Sequence, residues 1–212
     1  MTQDAVDFAS LLCSRLCHDL LSPVGALNNG LELLADENDP EMRARVLELL
    51  GESARASAAK LKFFRLAFGA AGGFGDLVDA REAKAAIEGL LGDNKRVELG
   101  WMVSEPALPK GALKILLNLA LIACDALVRG GRLDIGAEDS EIVVRADGPR
   151  LVLDPELREA LLGNTDRATL TPRAAAAWLT HALAVQQGGR ILVSEPEEGV
   201  LMFGATIPAS RS

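Results

Sequence analysis

Apolar side chains recur at Phe8, Leu12, Leu16, Leu20, Val24, Leu27, Leu31 and Leu34, in steps of three and four, so the chain must open with a long amphipathic helix carrying one unbroken apolar stripe. Asp36-Glu-Asn-Asp-Pro40 breaks the pattern, with Asp39 placed as an N-cap and Pro40 at the first helical position. A second stripe follows through Met42, Val46, Leu49, Leu50, Leu61, Phe64 and Phe68. Two antiparallel helices leave one flank of each stripe in water. Pairing two copies into a four-helix bundle covers those flanks, so the stripes predict a homodimer; packing on the rest of the same chain is expected to leave much apolar surface uncovered.

The texture changes at Gly69-Ala-Ala-Gly-Gly-Phe-Gly75, a glycine-rich stretch that ends the helical pattern and is taken as the domain boundary. Residues 1–70 are read as the helical hairpin and 76–212 as a second domain. There, Arg96–Val103, Arg132–Ile135, Glu141–Arg145, Arg190–Ser194 and Val200–Thr206 read as strands, and Asp79–Leu91, Pro109–Val128, Asp154–Leu162 and Pro172–Gln187 as helices. The expected class is α+β, with helices on one face of a mixed sheet.

Composition excludes several functions. A chain of 212 residues with 49% hydrophobic content can bury a core, and its formal charge of −8 repels phosphate backbones and anionic lipid, so neither nucleic acid nor membrane is an expected partner. Cys13, Cys17 and Cys124 form neither a paired framework nor a metal-ligand pattern, which suits a reducing cytoplasm. The first residues lack the basic and apolar runs of a signal peptide. The longest apolar stretch, Ala112–Val128, is interrupted by Lys114, Asn118 and Asp125 and is too short for a membrane span.

Leu16-Cys-His-Asp-Leu-Leu-Ser-Pro-Val-Gly25 then stands out. At about 100° per residue, His18 lies about 200° from Leu16 and faces water. It shares that face with Leu11, Ser14, Arg15, Leu21, Ser22, Gly25 and Asn29, a mixed surface suited to docking another protein. Reflection through the hairpin turn sets it opposite Ser53-Ala-Arg-Ala-Ser-Ala-Ala59, whose small side chains leave the imidazole unscreened. Pro23 costs the helix on the order of 3 kcal/mol and frees the carbonyl of Asp19, a penalty that invites a functional reason. His181 has no acid or proline beside it and reads as structural.

The segment His18-Asp-Leu-Leu-Ser-Pro-Val24 resembles the phosphoacceptor box of sensor histidine kinases, with Leu21 in place of the usual arginine. Hairpin followed by α+β sandwich is also how those kinases arrange their dimerisation and ATP-binding domains. The nucleotide motifs have decayed. In Asn118-Leu-Ala-Leu-Ile-Ala123 the magnesium-holding asparagine aligns with Ile122; in Ala146-Asp-Gly-Pro-Arg150 the adenine-contacting aspartate aligns with Ala146 and the last loop glycine with Arg150. Counting back from Gly188-Gly-Arg-Ile191, the glycine-rich phosphate loop falls on Ala174-Ala-Ala-Ala177, and alanines make a helix where a phosphate cradle needs glycine. ATP is not expected to bind.

A phosphoacceptor hairpin joined to an emptied ATPase domain is similar to the ChpT-type histidine phosphotransferases of bacterial phosphorelays. The likeness implies a homodimer that takes a phosphoryl group from the receiver domain of a hybrid kinase and hands it to response regulators, with the degenerate domain helping to grip the receiver. No cofactor of the chain's own is then needed, because the receiver brings both an aspartyl phosphate and Mg2+. Phosphoryl transfer depends mainly on positioning and charge neutralisation, and the attacking group needed is a neutral imidazole nitrogen in line with phosphorus. His18 is the expected phosphoacceptor, Asp19 its hydrogen-bonding partner, and Ser22 an orienting hydroxyl or a bond back to the helix beside Pro23. Arg15 is expected to meet phosphoryl oxygens or an acidic receiver surface, with Leu11 and Leu21 as apolar docking contacts. An ATP-dependent kinase with divergent motifs and a non-catalytic dimeric scaffold are the competing expectations.

Overall fold

The computed structural model of the chain describes residues 3–69, 76–92 and 96–208. Two helices, α1 (Gln3–Asp36) and α2 (Pro40–Ala67), form the expected hairpin. The Asp39 carboxylate accepts from the Glu41 amide at 3.2 Å, as an N-cap does, and Pro40 occupies the first turn. Helix α1 has no basic residue in its last turn; Arg43 of α2 supplies one, donating to the carbonyls of Leu34 and Glu37 at 2.9 and 2.6 Å. The boundary inferred from the glycine-rich stretch falls largely on residues 70–75, outside the described residues.

The second unit runs β1 (Leu77–Asp79), α3 (Ala80–Leu91), β2 (Val97–Val103), β3 (Ala107–Pro109), α4 (Lys110–Ala126), β4 (Gly131–Glu138), β5 (Glu141–Asp147), α5 (Pro155–Leu162), a 3-10 turn (Arg167–Thr169), α6 (Ala175–Gln186), β6 (Arg190–Val193) and β7 (Val200–Thr206). The main sheet has the order β2-β4-β5-β7-β6, with β2 parallel to β4 and the remaining pairs antiparallel. Alternation at period two turns Leu133, Ile135 and Ala137, then Ile142, Val144 and Ala146, then Leu201, Phe203 and Ala205 inward. The opposite face carries charge pairs such as Arg132–Asp134 at 2.7 Å and Arg145–Asp147 at 2.6 Å. Helix α4 is apolar almost all round because it is covered by the sheet, α6 and the end of α2. This is the expected α+β architecture, with one addition: β1 and β3 form a small antiparallel pair that three-residue runs without alternation could not announce.

The hairpin is less separate than its stripes imply. Phe63, Phe64, Leu66 and Ala67 at the end of α2 are fully buried in the same cluster as α4 and the sheet, and Phe8, Leu11, Leu12 and Leu16 of α1 pack on its edge. The Phe8 ring meets Trp178 of α6 at 4.8 Å, and the Arg167 guanidinium lies over both rings. The expectation that the second domain would cover little of the hairpin is therefore corrected for its root. Farther out it holds: Val24, Leu31, Leu47, Leu49 and Leu61 remain 43–60% exposed in the single chain.

Candidate active site

His18 projects from the middle of α1 with its side chain 85% exposed, as the helical phase requires. It borders a cleft of about 660 Å³ between α1 and the second unit, lined also by Ser14, Arg15, Asp19, Asp125, Thr171, Pro172 and Arg173. The imidazole Nδ1 lies 3.2 Å from Asp19 Oδ1. A carboxylate only accepts, so this pairing selects the Nδ1–H tautomer and leaves the Nε2 lone pair free. Asp19 is itself held: its Oδ2 accepts from Arg15 Nε at 2.7 Å, and the Arg15 Nη2 donates to Asp125 Oδ2 of α4 at 3.0 Å.

Arg15 therefore does not stand free on the docking face. Its side chain is only 13% exposed and both of its ion pairs point into the cleft, which corrects the expectation that it meets a visiting receiver. Desolvation acts to lower its pKa, but the hydrogen bonds and charges of Asp19 and Asp125 outweigh it and hold the guanidinium above its ordinary value. Desolvation raises the Asp125 carboxyl, opposed by Arg15. Leu11 is corrected likewise: it is half-buried against the core, so it is not a free apolar contact. Ser14, Leu21, Ser22 and Asn29 are exposed, Leu21 at 69%, and Gly25 is half-buried.

The carbonyl freed by Pro23 has a partner. Lys60 reaches across from α2 and donates through Nζ to Asp19 O at 2.9 Å. An unsatisfied helix carbonyl opposite about residue 58 signals a donor there, and Lys60 stands just beyond the run of small residues. Asp125, Thr171 and Arg173 carried no such signal, because only the tertiary fold brings them to α1.

Several residues that align with the nucleotide motifs of histidine kinases are buried. Asn118 is fully buried and donates to the carbonyls of Lys114 at 2.8 Å and Ala67 at 3.3 Å, tying α4 to the end of α2, while its Oδ1 has no partner among the described residues. Ile122 and Ala146 are core residues, and Ala174–Ala177 are buried at the start of α6. His181 is structural as expected: its Nδ1 lies 3.0 Å from Leu161 O, with its ring packed over Gly163, whose φ of +78° closes α5. Among the described residues no group of three or more His, Cys, Asp or Glu is placed to hold a metal ion, and no helix is long and apolar enough to cross a membrane.

Known proteins share this fold. The family model of the histidine phosphotransferase C-terminal domain matches residues 80–199. Protein phosphotransferase ChpT of Brucella abortus (strain 2308) is 35% identical over 205 residues, covering 95% of this chain and 96% of that protein. A solved bacterial phosphotransferase superposes with a TM-score of 0.83 at 33% identity, covering 97% of this chain and 98% of the other. Histidine kinase ThkA, solved in complex with response regulator protein TrrA, shares the fold at 16% identity and a TM-score of 0.50, covering 97% of this chain and 64% of that one. The hairpin bearing His18, the α+β unit behind it and these likenesses along nearly the whole length agree: the chain belongs to the histidine phosphotransferase family.

Proposed function

We propose that the chain is the phosphoryl carrier of a phosphorelay, in which His18 takes the phosphoryl group from a receiver-domain aspartate of a hybrid histidine kinase and passes it to the receiver domains of response regulators. The observation that carries this reading is an exposed imidazole at the mouth of an open cleft, with Nδ1 engaged by Asp19 and Nε2 unoccupied. In the forward step the Nε2 lone pair forms a bond to phosphorus while the bond to the aspartyl oxygen breaks, returning a carboxylate to the receiver. The ring gains positive charge as that bond forms, so the Nδ1–H···Asp19 bond strengthens toward the transition state and helps where help is needed. Transfer to a regulator is the reverse step with a different aspartate.

Ser22, one turn beyond His18 and exposed, is the hydroxyl we assign to orienting the phosphoryl group. Ser14, Leu21, Gly25 and Asn29 form the surface on which the receiver docks, and the receiver supplies Mg2+. The uncovered flank of α1 and α2 pairs with a second copy as a four-helix bundle. ATP has no part in this reading, which is supported by the alanines packed at the start of α6 where a cradle would need glycine. The setting is the cytoplasm, where receivers work.

The test is to mix the purified chain with a receiver domain charged by acetyl phosphate and Mg2+, and separately with labelled ATP and Mg2+. Label passing from the receiver to the wild-type chain but not to His18→Gln, with none from ATP, is the expected result. Stable self-labelling from ATP supports the divergent kinase, and no label from any receiver supports the scaffold. A monomeric mass at micromolar concentration contradicts the dimer.

A further inference from the structure

We propose that Asp125, on the second unit and remote from the phosphoacceptor helix in sequence, is a positioning residue for transfer at His18, because it holds one arm of Arg15 and so keeps Asp19 Oδ1 available to the imidazole. The inference rests on His18 being the phosphoacceptor. Its basis is how one guanidinium edge is shared. Arg15 Nε donates to Asp19 Oδ2 at 2.7 Å, whereas Nη2, on the same edge, donates to Asp125 Oδ2 at 3.0 Å. That edge is the fork which ordinarily grips both oxygens of a single carboxylate. Here it is split between two, so only one Asp19 oxygen is taken and the other, Oδ1, stays 3.2 Å from His18 Nδ1.

Asp125 is poorly placed for any purpose of its own helix. It lies in the last turn of α4, where a negative charge opposes the helix dipole, and partial desolvation beside the cleft adds to the cost of its ionised form. Its 49% exposed side chain leaves it open to the cleft it shares with His18, Asp19, Arg15 and Arg173. Without Asp125, the freed Nη2 turns to Asp19 and closes the fork on both oxygens. Oδ1 then accepts from Arg15 as well as from His18, so the Nδ1–H bond to it weakens and the tautomer with a free Nε2 is favoured less.

The experiment uses the full chain with 15N-labelled histidine, whose only two histidines are His18 and His181. Long-range 15N–1H correlation reports which ring nitrogen carries the proton in each. In the wild type both are expected as Nδ1–H, His181 because its Nδ1 donates to Leu161 O. Asp125→Ala is expected to move His18 toward Nε2–H and to slow transfer from a charged receiver by about 10-fold, the lower range for losing a group that orients a reacting histidine. His181 should not move, which shows the fold intact, and Asp125→Glu should recover both readouts. An unchanged His18 tautomer in Asp125→Ala overturns the proposal, whether or not the rate falls. Failure of the wild type to accept label on His18 overturns the phosphoacceptor reading instead, and the tautomer spectrum separates the two.

Discussion

Pro23 and Lys60 should be energetically coupled through the carbonyl of Asp19. Pro23 has no N–H to give the Asp19 carbonyl four residues earlier, and Lys60 Nζ fills that vacancy at 2.9 Å from a half-buried position. Lys60→Met keeps the stem and removes the donor. A charge-assisted bond to a partly desolvated carbonyl is worth about 1.5 kcal/mol, so the single variant should lose about that much. In a chain of this size that is a fall of about 3 to 6 °C in Tm. Pro23→Ala restores a helical N–H to Asp19 O and should stabilise by up to about 3 kcal/mol. With alanine at 23, Lys60→Met should cost almost nothing, giving a coupling of about 1 to 1.5 kcal/mol in the double-mutant cycle. The assay is thermal and urea unfolding of the four proteins at one fixed concentration, since a dimer's Tm depends on it. Equal losses in the proline and alanine backgrounds would refute the reasoning.

Three further outcomes are expected. Asn118→Ala should cost about 1 to 3 kcal/mol by removing the buried bonds to Ala67 and Lys114, and hydrogen exchange should quicken at the end of α2 more than in the sheet. Ala175→Gly with Ala177→Gly should destabilise by about 1 kcal/mol per site from helix propensity alone, and isothermal titration should show no ATP binding gained, because these positions are packed helix. Burial, followed by the neighbouring Asp125 charge, pushes the Cys124 thiol from 9.0 up to about 11. The unfolded thiol therefore loses its proton first as pH rises, so this residue's contribution to stability falls between about pH 9 and 11. Cys124→Ala should flatten that part of the stability profile, and iodoacetamide at pH 8 should leave Cys124 unmodified until the chain unfolds.

The parts of this molecule legible in sequence are those governed by local rules. The stripe from Phe8 to Leu34, the Asp39 cap with Pro40, and alternation along Glu141–Arg145 and Val200–Thr206 each place an element without knowledge of the rest. The exposure of His18 followed from helical phase alone. What stayed hidden depends on contacts between distant residues: Arg15 reads as a surface cation until Asp125 arrives beside it, and Leu11 reads as a docking residue until the root of the hairpin sinks into the core. The β1–β3 pair was invisible because its strands are three residues long and β3 follows Pro106 and ends on Pro109. Lys60 lay between these extremes, since the orphan carbonyl at Asp19 was evident and only its partner was missing.

The central claim is most directly tested by locating the phosphoryl group. With two histidines in the chain, mass spectrometric mapping of the acid-labile phosphate after incubation with a charged receiver offers a clear choice. The account predicts phosphate on His18 alone. Phosphate on His181, whose ring is committed to Leu161 O and packed over Gly163, or phosphate retained in full by His18→Gln, contradicts it.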